Sequence, residues 1–321
     1  MASQDRSVDH PPLLSVSITA FNSEKWLSRA LDSALLQQTS FPIEIVVADD
    51  CSTDGTVAIA HSYRQQYPHL VRVLERSQNV GMQRNFYETF EQCRGKYIAW
   101  LDADDCWTDP QKLEIQVELL ESDPSVKVCG HFVRCVTQAG EVVKERSPLK
   151  TPGRYGLKDI ILENFVPSPS IVFRNGIQRG LPEWYFDLPG LADWPILVLA
   201  GLAGHIVLLD RVMASYVLTP GSAYMSKGSV YQDSMDVQFC EKLETFLPAE
   251  YLRLARAAKG KRYESISYAL RKQGNFTASR QAAIKAFRAP ALMDNWGGKI
   301  KTLLAVVVSQ AQWKFRRGRL V

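Results

Sequence analysis

Apolar residues in the first 125 positions recur with two alternating periods. Residues 13–19 form a short run of β type, and after Asn22 and Ser23 a helical spacing sets in at Trp26, Leu27, Ala30, Leu31, Ala34 and Leu35. The unit returns as a run at 43–48, the Asp54-Gly55 break and a helix over 57–67, then as a run at 71–74 and a helix over 80–93. A fourth copy leads from 96–101 through an acidic loop into a helix over 111–121 behind Pro110. Strands alternating with amphipathic helices of this length predict an α/β fold, with a mostly parallel central sheet covered by helices on both faces.

Beyond residue 125 the rhythm loosens. A strand is expected over 126–137 with its turn at 138–141, and 164–174 places small hydroxyls ahead of an apolar strand. Glu183-Trp184-Tyr185-Phe186-Asp187 clusters aromatic and acidic groups that could stack on a sugar or simply pack. From Asp233 onward helices are expected over 235–245, 249–258, 263–272 and 276–289, the last lying between Gly274 and Pro290. The final two read as one helical hairpin, too short to make a repeat array. Residues 299–319 then carry Ile300, Leu303, Leu304, Val307, Val308, Ala311 and Phe315 at helical spacing, with Trp313 and a basic end at Lys314, Arg316, Arg317 and Arg319. That pattern suits a helix lying on an anionic membrane surface, and equally a packed helix with a solvated basic tail. The expected organisation is a flexible leader over 1–12, an α/β domain over 13–225 with halves 13–125 and 126–225, and a helical, basic region over 226–321.

Charge sharpens this division. The formal net charge is +4, yet residues 251–321 hold sixteen Lys and Arg against two acids, which leaves the preceding residues at −10. Six cysteines lack paired CxxC spacing and no secretory signal precedes them, so a reduced, cytoplasmic setting is expected, with at most peripheral contact with a membrane. The longest apolar stretch, 196–209, is interrupted by Gly201, Gly204 and His205 and falls short of the roughly twenty residues of a membrane span. No nucleic-acid recognition motif is present, and no nucleic-acid partner is expected.

In parallel sheets ligands bind beyond the carboxyl ends of the strands. Those positions are polar here: Thr19-Ala20-Phe21-Asn22, Asp49-Asp50-Cys51-Ser52, Asn79 and Gly81 with Arg84 behind them, and Asp102-Ala103-Asp104-Asp105. Three carboxylates within four residues repel one another unless they share a cation, most naturally a hard divalent metal, Mn²⁺ or Mg²⁺. A nucleotide suits the same rim, with Asp50 accepting from a pyrimidine N–H and Arg84 offsetting diphosphate charge or holding the base. The alternative for each motif is local: Asp54 beside Gly55 reads as a helix-terminal carboxylate, Asn22 as an N-cap, and Arg84 as a solvated helix charge.

Four motifs in this order, with Ser15-Val16-Ser17-Ile18 and Ile45-Val46-Val47-Ala48 leading into the first two, resemble the family 2 glycosyltransferases of the GT-A fold. The resemblance is close over 13–125 and looser to about residue 225. It implies an inverting, metal-dependent hexosyltransferase that carries sugar from a nucleotide-sugar, a UDP-sugar, to a saccharide or lipid-linked saccharide in envelope or extracellular polysaccharide synthesis. Thr19, Ala20, Phe21, Asn22, Asp50, Arg84, Asp102 and Ala103 would bind the donor, and Asp104 with Asp102 would hold the metal. Asp105, Asn79 and Gly81 would support them. Asp193, directly before a helix, resembles the family's catalytic base, although its sequence position also suits an N-cap with a low pKa. Two positions depart from the family pattern: Cys51, where glycine is common, and Thr219, where many members have a histidine. A nucleotidyltransferase and a non-catalytic nucleotide-sugar-binding protein are the rival readings; the first normally has a Gly-rich loop after its first strand, and residues 19–22 contain no glycine.

Overall fold

The repeating strand and helix units form as read. The computed structural model describes residues 11–188, 190–218, 227–290 and 304–305. In chain order the first half runs β1 (Leu14–Ala20), α1 (Leu27–Leu35), β2 (Ile43–Asp49), α2 (Thr56–Gln66), β3 (Val71–Glu75), α3 (Met82–Gln92), β4 (Tyr97–Asp102), β5 (Cys106–Trp107) and α4 (Lys112–Ser122). Then follow β6 (Val126–Thr137), β7 (Val142–Ser147), β8 (Gly153–Tyr155), α5 (Leu157–Leu162), β9 (Val172–Arg174), α6 (Asp193–Ala203) and β10 (His205–Leu218). The last helices are α7 (Ser229–Phe246), α8 (Ala249–Lys272) and α9 (Phe276–Arg288).

The sheet order is β3-β2-β1-β4-β9-β6-β10-β5, with β7 added to β6 and β8 to β10. β3, β2, β1 and β4 are mutually parallel, as are β6 and β10, and the short β9 runs antiparallel between β4 and β6. Leu14, Val16, Ile18, Ile45, Val47, Tyr97, Ala99 and Leu101 are inaccessible to solvent, as expected of parallel strands with both faces covered. They form one core with Leu27, Leu31, Leu113, Val117 and Leu120 from α1 and α4.

The chain divides into two compact units. One comprises Met1–Ile160, Asn164–Asp187 and Ala192–Thr219, and contains the whole sheet; the other comprises Ile161–Glu163, Leu188–Leu191 and Pro220–Val321. In the second unit helices begin at Ser229 rather than Asp233, and α8 is continuous where two helices are expected over 249–258 and 263–272. The apparent break at Gly260 is a close contact: a Cβ there would stand 2.6 Å from the Cβ of Ala289, so glycine admits the chain at the end of α9 while remaining helical. The expected hairpin is present, with Gly274 at φ 78° after α8 and Asn275 capping α9 by accepting from Ala278 N–H. Residues 1–10, Thr219 and, apart from Leu304 and Ala305, the 299–319 segment lie outside the described residues. No helix among the described residues is long and apolar enough to cross a membrane. All six cysteines are free; Cys51 and Cys106 are half-buried and the other four buried.

Candidate active site

Strand register brings the polar strand ends to one rim. Thr19 lies between Ala48 on β2 and Asp102 on β4, and Ala20 pairs with Asp49, which in turn pairs with Glu75 at the end of β3. Behind that line the turns lock onto one another. Asp49 accepts from Ser52 N–H at 2.8 Å and also from its hydroxyl, while Asn22 Oδ1 accepts from Thr53 N–H at 2.9 Å. Asn22 is therefore not a helix cap; it has φ 49°, and its side chain closes the neighbouring turn. Cys51 also has positive φ, 62°, which is why glycine suits this position: a side chain there crowds the following carbonyl. Asp54 is structural, as read, accepting from Thr56 N–H at 3.0 Å and Glu24 N–H at 3.1 Å. Phe21 projects half-exposed beyond β1.

Asp50 is buried, and its two oxygens accept from Val80 N–H at 2.8 Å and Gly81 N–H at 3.0 Å. Asn79 donates to Asp50 O at 3.0 Å and accepts from Gly81 N–H, so this loop is tied to the end of β2. Gly81, at φ 85°, lets the chain turn into α3. Arg84 sits outside this set: its guanidinium pairs with Glu88 at 3.8 Å and stacks 4.8 Å from the Phe186 ring, and it makes no bond to the acid loop among the described residues.

In the acid loop the three carboxylates differ. Asp102 Oδ1 accepts from the Trp100 indole at 3.0 Å and Oδ2 from the Ser168 hydroxyl at 2.9 Å. Asp105 Oδ1 accepts from Val217 N–H at 2.8 Å, fastening the loop to β10, while its buried Oδ2 has no hydrogen-bond partner among the described residues. Asp104 is half-buried, Ala103 beside it is buried, and Arg29 of α1 donates to the Asp104 carbonyl at 2.8 Å. Burial, then the charge of Asp104, pushes the Asp102 carboxyl up to about 7 and raises Asp105 well above the ordinary carboxylate range. Two carboxyls raised by burial and by the charge of a third, a buried carboxylate oxygen without a hydrogen bond among the described residues and an all-oxygen donor set fit a hard divalent cation. Among the described residues no group of three His, Cys, Asp or Glu side chains converges as a ready-made cage.

Asp193 is the first residue of α6 and Ala192 its cap, without a side-chain capping bond. The expectation of a low pKa from N-capping is thus corrected: burial raises the Asp193 carboxyl, against the hydrogen bonds of Asn164 and of the helix-start N–H groups. A carboxylate raised in this way is a stronger base than an exposed one. Trp194, fully buried, donates to Ile160 O at 2.6 Å and anchors the helix start. The charge of Asp193 reaches both Asp102 and Tyr216, and Tyr216 also feels Asp105, Asp102 and Asp104, so the base candidate and the acid loop lie near one another. Burial, then Asp193, raises the Tyr185 hydroxyl, which is buried and has no hydrogen-bond partner among the described residues. Arg29, Asn164, Ser168, Tyr185 and Tyr216 are the site residues that sequence reasoning did not single out. Three of them lay in stretches that carried a signal: Asn164 and Ser168 in the one before β9, and Tyr185 in the aromatic and acidic cluster at 183–187.

The family model described as Glycosyl transferase family 2 matches residues 15–181. An uncharacterised protein of Mycobacterium tuberculosis is 34% identical over 206 residues, covering 63% of this chain and 58% of its own length, so the chain spans less than two thirds of that relative. Among solved structures, S. aureus TarS 1-349 in complex with UDP-GlcNAc superposes with a TM-score of 0.56 at 20% identity, over 93% of this chain and 91% of that one. A mannosyltransferase from Pyrobaculum calidifontis in complex with GDP-Man and Mn²⁺ gives 0.60 at 15% identity, over 95% and 88%. At these identities the structural likeness is one of fold, and it bears out the α/β, GT-A expectation with its helical C-terminal region. The family model covers more than half of the chain, and every strand-end motif read from the sequence lies within it: the chain belongs to glycosyl transferase family 2.

Proposed function

We propose that this chain is an inverting glycosyltransferase that moves a hexose from a UDP-sugar to a hydroxyl of a saccharide or lipid-linked saccharide in envelope or extracellular polysaccharide synthesis. The observation that carries the reading is Asp193: a half-buried carboxylate at the start of α6 whose charge is felt by Asp102 at the end of β4. Its carboxylate would take the proton of the acceptor hydroxyl while the acceptor oxygen bonds to the anomeric carbon. The bond from that carbon to the diphosphate breaks on the opposite face, and its electron pair leaves with the nucleotide, which inverts the anomeric centre.

On the donor side, Thr19, Ala20, Phe21 and Asn22 would line the nucleotide, and Phe21 offers an exposed aromatic face for a base. Asp50 keeps a free lone pair on each oxygen for a pyrimidine N–H after serving Val80 and Gly81. Arg84 would have to leave Phe186 or Glu88 to meet a phosphate or base. Asp104, with Asp102 directly or through water, would hold Mn²⁺ or Mg²⁺ with diphosphate oxygens completing the shell, and Asp105 would keep the loop on β10. The ion would supply Lewis-acid neutralisation of charge on the departing diphosphate, typically worth several kcal/mol. The UDP-GlcNAc and the Mn²⁺ with GDP-Man in the two similar structures support a nucleotide-sugar and a divalent metal. Membrane-surface contact through residues 299–319 belongs to the same reading. Deleting 299–321 should reduce binding to anionic vesicles, and undiminished binding would refute that contact.

A panel of UDP- and GDP-sugars, read by nucleotide release with Mn²⁺ or Mg²⁺, identifies the donor. With that donor, Asp193→Asn should lower transfer by roughly 10²- to 10⁴-fold while calorimetric UDP affinity stays near wild type. Full transfer by this variant would remove Asp193 from the mechanism.

A further inference from the structure

The segment between α5 and β9 touches both walls of the site. Ser168 Oγ donates to Asp102 Oδ2 at 2.9 Å. Four residues earlier, the side chain of Asn164 lies close enough to Asp193 to lower its carboxyl in the manner of a hydrogen bond. Asn164 Oδ1 already accepts from Val166 N–H at 3.3 Å, so its amide NH₂ is the group left to donate to that carboxylate. Two acids 91 positions apart in the chain are thus gripped by one short segment.

That segment is held stiffly from beneath. The Trp107 indole donates to Pro169 O at 2.9 Å, and the fully buried Gln116 donates to Ser170 O and Cys129 O, both at 2.8 Å. Ser170, also fully buried, returns its hydroxyl to Pro167 O at 2.6 Å. Pro167 and Pro169 lock two of the backbone torsions. Loops that carry function are usually mobile, whereas this one is bonded to β5, α4 and β6.

We infer that residues 164–170 form a positioning turn, in which Asn164 orients Asp193 and Ser168 orients Asp102, so that one stiff segment sets the spacing between the acceptor-side and donor-side carboxylates. The inference rests on the proposed role of Asp193 for its Asn164 half, and on Asp102 as a donor-side carboxylate for its Ser168 half. Neither side chain has to touch a substrate; each acts through the acid it holds. With both of its oxygens bonded, Asp102 is fixed in orientation, and each oxygen keeps a lone pair.

The two halves have opposite signatures, and the full chain is used to read them. Ser168→Ala should weaken Mn²⁺-dependent UDP affinity, measured by calorimetry, by about tenfold, the loss expected for one hydrogen bond to a charged group. Ser168→Thr, which keeps the hydroxyl, should restore it. Asn164→Ala should lower kcat by about tenfold and leave UDP affinity unchanged. Asn164→Asp, nearly the same size, should lower kcat further by setting a like charge against Asp193. The turn's role is overturned if Ser168→Thr binds as poorly as Ser168→Ala, if Asn164→Asp turns over like wild type, or if both sites shift the same constant to the same extent. Undiminished transfer by Asp193→Asn would instead sink the base assignment and the Asn164 half with it, while the calorimetric comparison at Ser168 would stand on its own.

Discussion

The donor-side rim and the acceptor-side wall use similar groups, carboxylates held by hydroxyls, amides and backbone N–H, but they draw their partners from different distances along the chain. On the donor side Asn22 closes on Thr53 and Asp50 on Val80, 31 and 30 residues apart, which is one strand-and-helix repeat. On the acceptor side Ser168 reaches Asp102 over 66 residues and Val217 reaches Asp105 over 112. A repeat that returns each strand end to the same rim lets motif order stand in for geometry. Where the chain crosses the sheet irregularly through β9, α6 and β10, order carries no such information. The acceptor wall is also braced from beneath by buried amides and hydroxyls, whereas the donor turns are held by the buried carboxylates Asp49 and Asp50 and by the exposed bond of Asn22 to Thr53.

The largest effect that tests this contrast is at the acid loop, where the two sides meet. Asp104→Asn should weaken Mn²⁺-dependent UDP binding by roughly a hundredfold. In metal-free protein the same change should raise the melting temperature, because it removes the charge that acts on Asp102 and Asp105. A lower metal-free melting temperature would show that the carboxylates do not repel as described.

Bracing beneath the wall comes next. Gln116→Leu leaves Ser170 O and Cys129 O without their donor and should destabilise the protein by roughly 2–3 kcal/mol in denaturant unfolding. It should also depress transfer more than UDP affinity, since the strain falls on the 167–170 turn. Equal loss of both would erase the distinction between the two sides.

Lys112 is smaller in effect and opposite in sign. Its ammonium is fully buried and has no hydrogen-bond partner among the described residues, 4.1 Å from the Trp107 ring, and burial pushes its pKa down to about 7; Cys129 and His131 are titratable groups that interact with it. Between about pH 7 and the ordinary lysine value the unfolded chain holds the proton and the folded chain does not. The penalty is therefore complete below pH 7 and is relieved as pH rises above it. Lys112→Met should stabilise the protein by roughly 1–3 kcal/mol at pH 6 and flatten this rise. A destabilised variant at pH 6 would mean that the cation over Trp107 is needed. The smallest effect belongs to the donor turns. Cys51→Gly should relieve left-handed strain and stabilise by at most about 1 kcal/mol in thermal melts, without changing UDP affinity.

Most of β1 to β4 and α1 to α4 was legible to within a residue or two, because hydrophobic period and helix-end residues are local. Asp54 was read correctly as structural for the same reason. Gly260 misled because glycine breaks helices by propensity, yet here it makes room for Ala289, which only tertiary packing reveals. The local alternative for Asn22, an N-cap, fails because its oxygen serves Thr53 across the turn instead of its own helix. Arg29 and Tyr216 were invisible: each is an ordinary residue of an amphipathic element until Asp104 or Asp105 is brought beside it.

The amino-acid sequence by itself determined the repeating strand and helix units, the polar strand ends and their order, and therefore the family and the rim proposed to bind the donor. These follow from periodicity and backbone preference, which act over a few residues at a time. Tertiary structure alone decided that Asp193 opens α6 as a half-buried carboxylate of raised pKa rather than capping it, and that Asp102 is held at both oxygens. It also decided that residues 164–170 join the two. Burial and the approach of charges distant in the chain control pKa and orientation, and neither exists until the sheet has closed.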